Sequence, residues 1–214
     1  MKLNLASLFF ALFSSMSGIT ESQTARAYGK APDWAGMEIV FYTYGDWITY
    51  DEKELARCQI DMDGNFSVDI NLENTQMIFV YLGIYRAYFY AVPSASYELD
   101  LPPYSIRTEA EKLNPYFRFT DIHLGIKNAG ESDLNILIMR FDNDYNAVYN
   151  KHIGNSAGTG TPGLDSDITT LENQYSIYTD NYFREYRHYM YGLLHMLSMN
   201  QRAQSLSDNY FNNY

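Results

Sequence analysis

With Cys58 as its only cysteine, the chain cannot close an intramolecular disulfide, and it contains no Cys-x-x-Cys pair. An exported domain of this length without disulfides must rest on its hydrophobic core. Cationic residues are scarce as well. Lys and Arg total 15 against 26 Asp and Glu, a formal net charge of −11, and the excess is spread along the chain. A chain of that sign is repelled by phosphate backbones, which argues against nucleic-acid binding. It also lacks the basic amphipathic helix of a membrane-surface binder. The N-terminal apolar run is too short to span a bilayer, which takes about 20 residues. No internal repeat is present.

What the chain does have begins at its N-terminus. Lys2 precedes an apolar run from Leu3 to Phe13, broken only by Asn4 and Ser7, and small and polar residues follow from Ser14 to Gly18. That order is the layout of a secretory signal peptide. Cleavage is expected after Gly18, or after Ala27 in the small-x-small stretch Ala25-Arg26-Ala27. The expected location is the periplasm or cell surface, with no integral membrane segment left after cleavage. The region holds no cysteine to acylate.

Residues 28–103 read as a small antiparallel β-sandwich of about six or seven strands. Met37 to Thr43 is rich in β-branched and aromatic residues. Leu55 to Asp61 and Phe66 to Leu72 alternate on either side of Asp61-Met62-Asp63-Gly64-Asn65, the pattern of a hairpin. Gln76 to Leu82 and Tyr85 to Val92 form a second pair around Gly83, and Met77 to Leu82 should be the most central strand. Tyr97 to Leu101 closes the series, stopped by Pro102-Pro103 because proline donates no ladder bond. The 21 tyrosines suit such strands, since each ring can be buried while its hydroxyl stays hydrated.

Residues 104–131 read as an irregular connector, and 132–214 as a helical region. Leu134, Leu137, Phe141, Tyr145, Val148 and His152 recur at helical spacing, with Ser132 as the expected N-cap. Gly154 to Gly163 reads as a flexible loop. Further helices are expected over Asp165 to Tyr178 and Asn181 to Met199. In the first, Ile168, Leu171 and Tyr175 should face inward, and the second carries Tyr182, Tyr186, Tyr189, Leu193 and Leu197. The fold class is therefore α+β. The end at Asp208 to Tyr214 carries no capping or charged tail, as in a truncated chain.

No catalytic, cofactor or metal site is expected. Glu185 and His188 have the Glu-x-x-His spacing of di-iron bundles, but those need two such motifs and further carboxylates. His188 and His195 share a face two helical turns apart, too far to chelate one ion. Asp61 to Asn65 places its glycine fourth, not sixth as a calcium loop requires. Gly154 to Gly163 lacks the ending of a phosphate-binding loop, and Ser156 and Ser166 lie in no nucleophile elbow. Asp142 and Asp144, and Asp165 and Asp167, read as solvated carboxylates. Cys58 shares a face with Ala56 and Ile60 and should be buried and inert.

Ala35 to Tyr44, Gly64-Asn65-Phe66 and Ile78 to Gly83 together resemble the N-terminal region of a group of exported Bacteroidota proteins. That group has a small sandwich opening on an aG-x-x-hydrophobic-x-L/F strand and a D-x-x-G-x-F hairpin, here one residue shorter before the glycine. Ile122 to Ile126 and Phe183 to Arg187 resemble its helical continuation. In some of its architectures the sandwich precedes a thioredoxin-like domain. The resemblance implies a fold and no functional residue, and without Cys-x-x-Cys the redox activity does not carry over. The expected function is that of a non-catalytic exported cell-envelope accessory or binding module for a protein, peptide or glycan. The alternative is the N-terminal domain of a larger envelope thiol-disulfide oxidoreductase whose catalytic domain lies outside this chain.

Overall fold

A computed structural model describes residues 23–46, 48–153 and 162–197. The apolar run at Leu3 to Phe13, most of the Gly154 to Gly163 loop and the Asp208 to Tyr214 end lie outside the described residues. Within them the chain is α+β, with nine strands followed by a largely helical C-terminal part. The strands are β1 (Gln23–Lys30), β2 (Glu38–Tyr44), β3 (Glu52–Gln59), β4 (Asn65–Leu72), β5 (Gln76–Leu82), β6 (Tyr85–Ala91), β7 (Ser96–Asp100), β8 (Thr120–His123) and β9 (Gly125–Ile126). The helices are α1 (Glu109–Leu113), α2 (Leu134–Ile153), α3 (Leu164–Tyr175) and α4 (Asn181–His195). None of the helices among the described residues is long and apolar enough to cross a membrane.

The strands form two facing sheets, ordered β4-β1-β7-β9 and β3-β2-β5-β6-β8. Both are mixed, because β1 runs parallel to β7 and β6 parallel to β8. β5 occupies the middle of the five-stranded sheet, as its dense apolar run predicts. Ile39, Phe41, Ile78, Val80, Phe89, Ile70, Leu72 and Leu99 fill the space between the sheets.

Three strand expectations need correcting. First, the paired chain starts at Gln23, upstream of the boundary expected at residue 28. β1 pairs with β4 over its whole length, and Ala25 and Ala27 are buried in the core. Their small side chains fit a tightly packed interior strand. Second, Asp61 to Asn65 does turn the chain, with Gly64 at φ 85°, but its arms are not a hairpin. β3 joins the larger sheet and β4 the smaller, because β1 takes β4 as its ladder partner. A Cβ on Gly64 would come within 2.6 Å of the Pro32 backbone, so the arch needs glycine there. Third, the connector 104–131 contributes an edge to each sheet. β8 adds to β6, β9 adds to β7, and buried Leu124 marks the point where the chain changes sheets.

The helices pack on the outer face of the larger sheet around Phe141, Leu137, Ile138, Leu171, Phe183 and Leu194. Asp133 rather than Ser132 caps α2. Its carbonyl accepts from the Leu137 amide and its carboxylate from the Asn135 amide. On α4 Phe183, Tyr191 and Leu194 are buried, Tyr182 and Tyr186 pack partly buried against the same core, and Tyr189 and Leu193 are exposed.

Candidate functional site

Side chains alternate across a strand. With Phe41, Val80 and Phe89 turned into the sandwich, the larger sheet presents Tyr42 and Tyr44, Met77, Phe79 and Tyr81, Arg86, Tyr88 and Tyr90, and Asp121 and His123 on its other face. The helices cover only part of that surface.

The covered part is a seam of polar aromatics. Tyr90 packs into the helical core, with its ring 5.6 Å from Tyr182 and 6.1 Å from Tyr186. Beyond the end of β8 the Asn135 side chain takes over the ladder. Its carbonyl accepts from the Tyr90 amide at 2.6 Å, and its amide donates to the Tyr90 carbonyl at 2.9 Å. The Tyr186 hydroxyl donates to Asp142 at 2.7 Å, and the His123 ring lies 4.3 Å from that of Tyr88. Burial pushes Tyr88 and Tyr182 up to about 12 and lifts Asp142 above its ordinary value. It also holds His123 below the usual imidazole range. His123 Nε2 and Asp142 Oδ2 are 4.0 Å apart, beyond hydrogen-bond range. Chemically the seam fastens sheet to helices through tyrosine hydroxyls, the Asn135 amide and the Asp142 carboxyl.

The carboxylates expected to be solvated are mostly engaged. Asp142 lies in this seam. Asp144 accepts from the Tyr175 hydroxyl and from Gln174, each at 2.7 Å. Asp167 faces Lys151 and the buried His152, each at 2.6 Å, and so ties α2 to α3. Asp165 lies 3.8 Å from His195. Asp142, Asp144 and Asp167 are each recruited by a tyrosine, histidine or lysine from another helix, a pairing invisible to local sequence, while Asp165 stays exposed as expected. Glu185 is exposed, and His188 lines a groove between α3 and α4 with Glu172, Ser176, Arg184, Arg187 and Tyr191. No group of three or more His, Cys, Asp or Glu among the described residues is arranged to hold a metal. The Asp61 carboxylate accepts from the Asp63 and Asn65 amides and is consumed by its own turn. Cys58 is half-buried, and burial pushes its thiol up.

The uncovered part was not singled out from sequence, although aromatics at alternate positions (Tyr42 and Tyr44, Phe79 and Tyr81) are its signal. Tyr42 stacks beside Phe79 at 5.8 Å, and Tyr44 meets Phe79 at 4.8 Å. Tyr81 lies 4.5 Å from Phe119. Arg86 sits 5.9 Å above the Phe79 ring, donates to both oxygens of Asp121 at 2.5 and 2.8 Å, and also donates to the Tyr44 hydroxyl. Arg107 lies 5.2 Å over Phe117 and 5.4 Å over Phe119. The Tyr81 hydroxyl donates to Glu52 at 2.5 Å, and Arg57 forks onto Glu54. These contacts fix the rings while leaving Tyr42, Tyr44 and Tyr81 partly accessible. Searches of protein-family models, of curated proteins and of solved structures give no match to this chain.

Proposed function

We propose that the protein is a non-catalytic, exported cell-envelope module that binds a partner through the uncovered aromatic half of its five-stranded sheet. The supporting observation is that half-covered face. One side is sealed by α2 and α4, and the other holds tyrosines and an arginine in fixed, partly accessible positions. Tyr and Arg are enriched where proteins make contact, because they combine apolar area with directional bonds. Export is supported by the order of residues from Lys2 to Gly18. Cleavage after Gly18 leaves β1 whole, whereas cleavage after Ala27 would remove five of the eight residues that pair with β4 from Gln23 to Lys30.

Two measurements test this reading. The native protein recovered from the envelope fraction should have an intact mass that starts after Gly18. A photo-crosslinking residue in place of Tyr81 should capture a discrete partner there, while one in place of Asp69 on the far sheet should not. Equal labelling from both positions would overturn the assignment of the face.

A further inference from the structure

We propose that the outer face of the smaller sheet carries a separate site, which holds one ring of a neutral sugar chain against Tyr28. The inference goes beyond the binding-module reading, which concerns the opposite sheet. Three observations carry it.

The first is a cavity of about 540 Å³ on that face, lined by Arg26 and Tyr28 of β1, Asn65 and Ser67 of β4, and Ser96 of β7 among others. Ala25 and Ala27 point into the core, so alternation along β1 turns Arg26 and Tyr28 outward. The core of α2, α3 and α4 is built on the other sheet, through Tyr90, Met77 and Tyr88.

The second is that Tyr28 stands alone. Its ring meets no other aromatic ring and its hydroxyl no partner among the described residues. Tyr42, Tyr44 and Tyr81 on the larger sheet are instead packed against other rings. Ser67 lies opposite Tyr28 on β4, Gly29 follows it and Ser96 lies nearby, so small residues border the half-buried ring. An aromatic face with negative charge above its plane attracts the C–H bonds that one side of a sugar ring presents, while the phenol keeps a directional bond at its rim.

The third is the balance of donors and acceptors around that ring. Arg26 Nε donates to the Ser67 hydroxyl at 3.1 Å, which anchors the guanidinium and leaves Nη1 and Nη2 without a partner among the described residues. Asn65 is anchored through its amide to Asp61. The hydroxyls of Tyr28, Ser67 and Ser96 each combine donor and acceptor in one group. A ligand bearing several hydroxyls matches such a lining. An anion does not, because Arg26 faces Asp69 across the β1–β4 ladder and Tyr28 faces Glu98 across the β1–β7 ladder. The net charge of −11 disfavours it further.

The test titrates the full chain with chitohexaose, cellohexaose and maltoheptaose, three neutral chains of different sugar or linkage, and with sodium phosphate as a simple anion. One of the sugars at least should shift the amides of Arg26, Tyr28, Ser67 and Ser96 together while leaving those of Tyr42 and Tyr81 in place. Tyr28→Leu, which keeps apolar bulk without a ring, should weaken that binding about tenfold, and Tyr28→Phe only about twofold. Arg26→Gln should weaken it about threefold. The same amide spectra show whether each variant is folded. Equal effects of Tyr28→Leu and Tyr28→Phe would overturn the role of the ring. Absence of localised shifts with all three sugars would overturn the site, and shifts with phosphate alone would make it an anion site instead. Tyr28→Leu should leave the crosslink from position 81 unchanged, so this site and the partner-binding face stand or fall separately.

Discussion

Asn135 does at residue scale what a strand normally does. A buried backbone group left unpaired costs about 1–3 kcal/mol, and β6 runs past the end of β8 with both polar groups of Tyr90 turned toward α2. The Asn135 amide satisfies each of them. Asn135→Ala should therefore cost at least about 2 kcal/mol, read as a lower denaturant midpoint with an unchanged slope. Asn135→Asp keeps the acceptor for the amide but sets a carboxylate against the Tyr90 carbonyl, so its deficit should grow as pH rises. Gly83 meets a harder limit. It turns β5 into β6 at φ 62°, and a Cβ there would fall 1.4 Å from the Ser105 carbonyl oxygen. Gly83→Ala should destabilise by at least about 2 kcal/mol. Gly130→Ala, with nothing within 4 Å of the added carbon, should be near neutral in the same thermal melts.

At the scale of elements, α4 shows how an apolar pattern can mislead. Of Tyr182, Tyr186, Tyr189, Leu193 and Leu197 at helical spacing, Tyr182, Tyr186 and Leu197 pack partly buried on the helical core, yet Phe183, Tyr191 and Leu194 carry the full burial, and Leu193 is 45% exposed. Two apolar stripes lie on one helix, and composition alone cannot choose between them. Phe183→Ala should cost about 3–5 kcal/mol, whereas Leu193→Ala should stay within about 0.5 kcal/mol of wild type, and urea denaturation separates the two. The same limit explains which elements were legible. α2 and the β5–β6 pair declare themselves by period and by Gly83. β1 is hidden because Ala25 and Ala27 pack a core with side chains too small to signal a strand. β8 and β9 are hidden by their shortness. The Asp61 turn is legible as a turn, but which sheet each arm joins depends on β1, at the other end of the domain. The aromatic face was written in Tyr42, Tyr44, Phe79 and Tyr81. Its charge pairing was not, since Arg86 meets Asp121 only once β8 lies beside β6.

Across the whole molecule, the sandwich and the helices meet at a seam where burial shifts a carboxyl, Asp142, and an imidazole, His123, in opposite directions. The folded state raises Asp142 above its ordinary 3.8, so it favours the protonated carboxyl. That contribution is fully present below pH 3.8 and is lost as pH rises through the higher folded value. The fold lowers His123 below its ordinary 6.5, so it favours the neutral ring. This contribution is present above pH 6.5 and is lost as pH falls through the lower folded value. At neutral pH the seam therefore holds a neutral imidazole and bears the cost of desolvating Asp142. Asp142→Asn removes that cost and still offers the Tyr186 hydroxyl an acceptor. It should equal or exceed wild type in stability at pH 7 and lose that advantage as pH falls toward 3.8. His123→Gln should instead flatten the fall in stability below pH 6.5. Stability against pH for wild type and the two variants decides the matter. If Asp142→Asn is less stable than wild type at pH 7, Asp142 is a charged anchor of the seam. If its relative stability rises as pH falls, the direction assigned to the carboxyl is reversed.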